Sequence, residues 1–327
     1  MGSKSPLVLV ITNSKDATST FLLEKARPAR TVIARLNTDN MQQYCINFNS
    51  HTCSWSIQLE DVLLTPDNLR AIYYRRPKPP TLPDIQDAAT LAWAQNEFRS
   101  AFGGILMGLP EYRWMDHPLL VSRASYKLDQ LASARRLGLN TPNTLVTMDP
   151  DRARNFCDNA MWNVVTKPLG HGEVKSSADE LSNVVYTNSL QREHADQFSL
   201  VANCPVLLQE LINKEYDIRV IVIGNDCYAV AIHSQEHEYS QIDCRRNNMA
   251  GMKYSIITLP NNVNSALVEL VERYSLHFGA IDLIKDIRGD YWFLELNPAG
   301  QWAWLEQATG IELTRSIVSQ LEHIAHL

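Results

Sequence analysis

The sequence predicts an α/β protein. An open α/β domain comes first, then a small central domain and a C-terminal α+β domain. Three observations carry this reading. The chain begins with a short apolar run, "PLVLVIT" (6–12), followed by polar "NSKDATST", which is how an open α/β domain usually starts. Two strand–turn–strand patterns stand in the second half, at 217–235 and 280–297. Stretches of helical periodicity separate the strands. A chain of 327 residues has room for one large domain or two to three small ones.

The elements follow in order. "LRAIYYRRPKPP" (69–80) is a strand stopped by Pro77, Pro79 and Pro80. Residues 87–110 have helical periodicity, and a first domain over 1–120 is expected. "SRASYKLDQLASARRLGL" (122–139) reads as one amphipathic helix, capped by Ser122 or Ser125 and ended by Gly138. "NTPNTLVT" is a turn and strand, and 162–174 is a strand running into a loop with Gly170 and Gly172. The polar stretch 175–205 suggests strands or a mobile hairpin, which closes a central subdomain over 121–205. From 206 to 327 the reading is a strand at 204–212, a hairpin turning at "GND", a helix at 264–279 ending at Gly279, a second hairpin, and a closing amphipathic helix.

Composition narrows the function. Hydrophobic residues are 45% and charged residues 20%, ordinary for a soluble globular chain. A net charge of −6 argues against a general nucleic-acid binder, which carries a basic surface. No apolar run reaches the ~18 residues of a membrane span, and the apolar part of the N-terminal stretch is too short for a signal peptide. Pro6 stands where a myristoylation motif wants Ser or Thr. The six cysteines show no CxxC spacing, which fits a reduced, cytoplasmic protein without structural zinc.

The chemistry begins at "YWFLELNPAGQWAW" (291–304). Alternation places Trp292, Leu294 and Leu296 on one face and Tyr291, Phe293, Glu295 and Asn297 on the other. A carboxylate in such an apolar run is costly unless it is paired or binds a metal. With the turn centred between Arg288 and Gly289, Asp282 faces Glu295, and directly opposed Cβ atoms lie about 4.5–5.5 Å apart. Asn297 follows on the same face, about 7 Å further along. Two carboxylates and an amide oxygen suit a hard cation such as Mg²⁺, completed by substrate phosphates. The competing reading neutralises the acids through surface ion pairs with Lys285 or Arg288.

Basic groups stand elsewhere. Lys167 ends the "NVVT" strand ahead of "PLGHG", at a loop suited to phosphate; Lys127 in its helix is uninformative alone. The GxxxxGK[ST] pattern is absent. "LLQELINKEYDIRV" sets apolar strand residues beside Glu210, Glu215, Asp217 and Arg219. Such a backbone can meet an adenine edge while an acid binds ribose; alternatively the acids are ordinary loop residues, one of them paired with Arg219. "DCRRNN" adds Arg245 and Arg246, either bidentate anion ligands or a solvated loop.

In their order along the chain these segments resemble ATP-grasp ligases, over nearly the whole length. The residues that carry the resemblance are Lys127 in "SYKLDQLASARRLGLNTPNT", Lys167 in "VVTKPLGHG", "QELINKEYDIRV", "DCRRNN", Asp282 in "FGAIDLI" and "FLELNPAGQW". "YYRRPKPP", "RWMDHPLLVSRASYKLDQLASARRLGL" and "NPAGQWAWLEQATGIELTRSI" are similar in particular to the microviridin-type (graspetide) peptide macrocyclases. "DCRRNN" departs from the "DWR" of that subgroup, which bears on substrate contacts more than on ATP.

The resemblance implies an ATP-grasp fold with ATP between the central and C-terminal domains. It implies Lys127 and Lys167 on ATP phosphates, Gln209, Glu210, Leu211 and Ile212 along the adenine, and Asp217 at the ribose. Arg219, Arg245 and Arg246 fall near the phosphates and acyl acceptor, and Asp282, Glu295 and Asn297 on Mg²⁺. The implied partner is a ribosomal precursor peptide whose leader docks on the enzyme, with 171–205 the candidate region, and a homodimer is expected. The implied reaction phosphorylates Asp or Glu side chains and joins them to Ser/Thr hydroxyls or Lys amines. The alternatives are a ligase adding a free amino acid or small amine to a carboxylate, and a nucleotide-dependent binding protein without ligation.

Overall fold

β1 (Leu7–Thr12) is buried along its whole length because it is the middle strand of a parallel sheet, ordered β2-β1-β6. The computed structural model describes residues 7–26, 31–170, 172–175, 182–249 and 251–327. His171 of "GHG" and the start of the chain lie outside them. The first part contains β1, α1 (Ala17–Lys25), β2 (Val32–Asn37), β3 (Cys45–Asn49), β4 (Ser54–Gln58), β5 (Leu63–Leu64), β6 (Leu69–Tyr74) and α2 (Ala88–Leu106). β3 to β5 form a separate small antiparallel sheet. α2 is the helix expected over 87–110, and the Asp87 carboxylate caps it by accepting the Thr90 N–H.

The next part contains α3 (Pro118–Ala124), α4 (Lys127–Arg136), β7 (Thr144–Thr147), α5 (Pro150–Asn159), β8 (Val164–Lys167), β9 (Glu173–Lys175), β10 (Ser182–Val184), β11 (Asn188–Ser189) and β12 (Val206–Glu210). The single helix expected over 122–139 is two. His117 caps α3, the Ser125 hydroxyl turns back to the Val121 carbonyl, and α4 starts afresh at Lys127. Gly138 does follow the end of α4, at φ 83°. β11-β8-β12-β7 make an antiparallel sheet, and β9 pairs with β10 as a hairpin, with 176–181 outside the described residues. Residues 192–203 form a 3-10 helix where strands were expected. Buried Ala195, Phe198 and Val201 recur every third position, the period of that helix.

The last part contains β13 (Lys214–Ile223), β14 (Asp226–Ile232), β15 (Tyr254–Ile257), α6 (Asn261–Arg273), β16 (Phe278–Asp286), β17 (Tyr291–Asn297), α7 (Ala303–Thr309) and α8 (Leu313–His326). Its antiparallel sheet has the order β15-β14-β13-β16-β17 and is covered on both faces. Ile221, Phe278 and Ala280 pack on α8 and Trp302, continuous with Val8 and Val10 of β1. Val220, Val222, Ile281 and Leu283 pack on α6 and α4. α6 stops at Arg273 rather than at Gly279, which lies inside β16. A Cβ there would come within 2.7 Å of Leu296 and Val271, so Gly279 lets α6 approach the sheet. Among the described residues no helix is long and apolar enough to cross a membrane.

Candidate active site

The β16–β17 hairpin turns on Arg288, half a residue before the expected centre, since Lys285 pairs with Tyr291 and Leu283 with Phe293. A β-bulge at Leu294 then restores the expected register, and Asp282 opposes Glu295. The bulge changes the face assignment upstream of it. Phe293 joins Leu296 in the core instead of sharing the Glu295 face, and Leu294 lines a cleft. The ion-pair alternative is overturned: Lys285 binds Glu215 at 2.9 Å and Arg288 binds Asp286 at 3.3 Å, so neither reaches the carboxylate pair.

Four strand positions and one helix end build the cluster. Arg219 on β13 opposes Asp282, and its Nε lies 3.0 Å from Asp282 Oδ1, so its partner is none of the acids of its own segment. Lys127, the first residue of α4, sets Nζ 3.1 Å from Glu295 Oε2 and donates to the Pro168 carbonyl. The Asn297 amide donates to Glu295 Oε1 at 3.1 Å and reaches Asp282 Oδ2 at 3.5 Å. All three candidate ligands therefore converge on one point. Burial pushes the Asp282 carboxyl up to about 7, opposed by Arg219 and reinforced by Glu295. Burial alone would also raise Glu295, but Lys127, Lys167 and the Asn297 amide hold it down to about 2. Burial lowers the Lys167 amine, with Glu295 opposing and Lys127 adding to the shift.

These residues fit a divalent cation. Two carboxylates this close resist carrying two negative charges, and a cation between them removes that penalty. Turning the Asn297 amide over presents its oxygen to the same point. Among the described residues no group of three or more His, Cys, Asp or Glu stands together, so a cation here would be held by two carboxylates and this amide.

Beside the cluster lies a narrow cleft of about 60 Å³, lined by Lys167, Gln209, Glu210, Leu211, Ile212 and Asp217 among others. Six of the seven residues expected to hold the nucleotide thus border one space; Lys127 does not line it, and its Nζ reaches the carbonyl of Pro168, next to Lys167. Residues 211–213 run without strand structure between β12 and β13, tethered by Leu211 N–H to Asn163 O at 2.9 Å. Val165, Ile242, Ile284 and Leu294 supply apolar walls. A larger, mostly apolar groove at the ends of β1, β2 and β6 contains none of the predicted residues.

Asp217 is held by Lys214 at 2.7 Å and accepts from Ser234. Lys214, also in the cleft wall, was missed; its spacing of three from Asp217 was the available signal. Gln130 was missed too. It is buried one turn after Lys127, accepts the Leu296 N–H at 2.9 Å and donates to the Leu296 carbonyl at 2.7 Å. Nothing in its residue type marks that role.

The two arginines of "DCRRNN" part company. Arg245 forks onto Asp243, at 2.9 and 2.6 Å, and its charge acts on both Asp282 and Glu295. Arg246 is not gathered into the cluster: it bonds Thr187 O and Asn188 Oδ1 and lies over the Tyr186 ring. Asp243 also accepts the Thr187 N–H at 3.0 Å, so the loop is fastened to the strand segment before β11.

An antiparallel sheet facing a second sheet across a cleft, with the two acids and the amide on its last two strands and lysines opposite, is the arrangement of an ATP-grasp enzyme. The family model of the RimK-like ATP-grasp domain matches residues 124–321, and the chain belongs to that family. It is an ATP-dependent ligase of the graspetide-like ATP-grasp group. The macrocyclase MdnC of Microcystis aeruginosa MRC, solved with its precursor peptide MdnA, is similar at 26% identity and TM-score 0.85, over 97% of this chain and 99% of that one. A RiPP-associated ATP-grasp ligase of Chryseobacterium gregarium, solved with ADP and a leader and core peptide, is similar at 25% identity and TM-score 0.88, over 97% and 96%. A probable alpha-L-glutamate ligase of Enterobacter sp. (strain 638) is 24% identical over 64% of this chain and 68% of its own length.

Proposed function

We propose that this chain is a peptide macrocyclase that uses ATP to phosphorylate Asp or Glu side chains of a ribosomal precursor and joins them to Ser/Thr hydroxyls or Lys amines. The observation that carries the reading is the convergence of Lys127, Arg219, Asp282, Glu295 and Asn297 beside the 209–217 cleft. Similarity along almost the whole chain to two ligases solved with precursor peptides supports it. The division of labour follows the domains 1–120, 121–205 and 206–327, with the nucleotide between the last two.

Gln209 to Ile212 border the adenine and Asp217 the ribose. Lys127 and Lys167 meet the phosphates. Asp282, Glu295 and Asn297 hold Mg²⁺, which when bound offsets charge on the phosphoryl group. Arg219 and Arg245 place positive charge where negative charge develops, while Arg246 orders the 186–188 segment near the acyl acceptor. The substrate carboxylate attacks the γ-phosphorus, ADP leaves, and the peptide's own hydroxyl or amine displaces phosphate from the acyl phosphate. Water must be kept out for ring closure to win. The six free cysteines fit the reducing cytoplasm, and a homodimer belongs to the same reading, checked by sedimentation.

The test is mass spectrometry of an Asp/Glu- and Ser/Thr/Lys-rich precursor incubated with enzyme and Mg-ATP. Loss of one water per ring, and hydroxylamine trapping of the acyl phosphate, are expected. The second reading, transfer of a free amino acid to a carboxylate, is favoured by the glutamate-ligase relatives and predicts a mass gain instead.

A further inference from the structure

Arg75 is a buried charge that the reaction does not use. It follows β6, is 2% exposed, and its Nε has no hydrogen-bond partner. Its nearest acid is Asp16, at 3.9 Å and equally buried. Both terminal nitrogens of the guanidinium donate to one backbone carbonyl, that of Gly300, each at 3.2 Å, and one also reaches Gln301 Oε1 at 3.5 Å. The Gln301 amide in turn donates to Asp16 Oδ1 at 3.4 Å and accepts from the Thr18 hydroxyl. The ring of Tyr73 lies below the guanidinium at 5.2 Å.

A charge in this position is expensive, and an apolar side chain of similar volume would serve packing alone at least as well. What the guanidinium does is fork onto the loop that leaves the cation site. Gly300 N–H donates back to Asn297 O at 3.1 Å, and the Gly300 Cα is packed against Ala280, the residue opposite Asn297. The path from Arg75 to the third cation ligand is thus two hydrogen bonds, with no mobile side chain between them.

We propose that Arg75 is a positioning residue: from the first sheet it holds the Gly300–Gln301 turn and so sets where Asn297 stands in the cation site. The inference rests on the Mg²⁺ reading above. Outer partners of metal ligands change metal affinity by roughly 10–100-fold, and a link through backbone belongs at the lower end.

The test is calorimetric binding of ADP to the full chain with and without Mg²⁺, together with the Mg²⁺ dependence of ADP release. In Arg75→Met, ADP affinity without metal stays within about twofold of the parent, while the Mg²⁺ needed for half-maximal tightening rises roughly tenfold. Arg75→Lys, which keeps the charge and loses the fork, falls between. Should Arg75→Met not fold, Arg75→Gln, which keeps a polar side chain but loses the two-nitrogen fork on the Gly300 carbonyl, takes its place and shifts the Mg²⁺ dependence in the same direction. Parental Mg²⁺ dependence in the folded variants, with rates reduced only in proportion to folded protein, overturns the proposal and leaves the cation site standing. A parent whose ADP affinity ignores Mg²⁺ removes the cation reading and this inference with it.

Discussion

Replacing Gly300 by Ala tests how tightly the proposed cation site is built. A Cβ at 300 would collide with the Cβ of Ala280 and come within 3.2 Å of Asn297 O and 3.3 Å of Asn297 Cβ. Ala280 cannot give way, because it sits buried in β16 between β13 and β17. Ordinary carbon–carbon contact needs roughly 3.5–4.0 Å, so the 298–301 turn must retreat by about 1 Å. Overpacking of this kind costs about 1–3 kcal/mol, and a 1 Å misplacement of a reacting group costs on the order of 10²-fold in rate. Gly300→Ala should therefore lower Tm and reduce ADP release roughly 100-fold. Adding Ala280→Gly removes the colliding methyl and should recover most of the rate, at a strand cost of about 1 kcal/mol. The assay is coupled ADP release over a Mg²⁺ series, with thermal melts. A double variant no better than Gly300→Ala would refute the reasoning, since the loss would then come from elsewhere in the turn.

Three further outcomes are expected. Glu295→Gln leaves Lys127 and Lys167 without their shared carboxylate and should cut ATP turnover by roughly 10²–10³-fold; unchanged turnover would remove the metal assignment. Asp243 is buried, which alone would raise its pKa, yet the Arg245 fork holds it down to about 2 from 3.8. A depressed folded pKa contributes stability above pH 3.8 that is lost as pH falls toward 2. The full shift corresponds to roughly 2 kcal/mol, discounted to about 1–2 because Arg245 is half-exposed. Asp243→Asn should flatten that part of the acid-unfolding curve, and an unaltered curve counts against the pairing. Gly310 ends α7 at φ 76°, so Gly310→Ala should cost about 1 kcal/mol in denaturant melts and leave ATP turnover at the parental rate.

The opposition of Asp282 and Glu295 was legible because it depends on side-chain period and turn length, both written locally. It came out correctly through two errors that cancel: the turn is centred half a residue early, and the bulge at Leu294 returns the register. A bulge leaves no compositional mark in "YWFLELN", so the burial of Phe293 could not be read. The break between α3 and α4 was hidden for a related reason, since Ser125 and Tyr126 neither forbid nor favour helix strongly. Side-chain partners across sheets were least legible. That Arg219 meets Asp282, and that Arg246 goes to the 186–188 segment, depends on which strands lie side by side, and no local pattern encodes strand order.

The position of Glu295 and Asn297 on β17 also has a physical logic. β17 is the edge of its sheet, and an edge strand exposes backbone groups that invite unwanted pairing. Here the edge is closed by one short stretch of chain. Gln130, inside α4, takes the N–H and carbonyl of Leu296, and Asn140, just past the helix, accepts the Phe293 N–H at 2.7 Å. These same contacts lay the start of α4 against the end of β17, which delivers Lys127 to Glu295. On an interior strand the backbone groups of Leu296 and Phe293 would be taken by a second neighbouring strand, and Gln130 and Asn140 would have nothing to bind. The device that protects the edge is therefore also the one that assembles the charge cluster. Lys127 gains its meaning from Gln130 and Asn140 rather than from its own surroundings in the sequence.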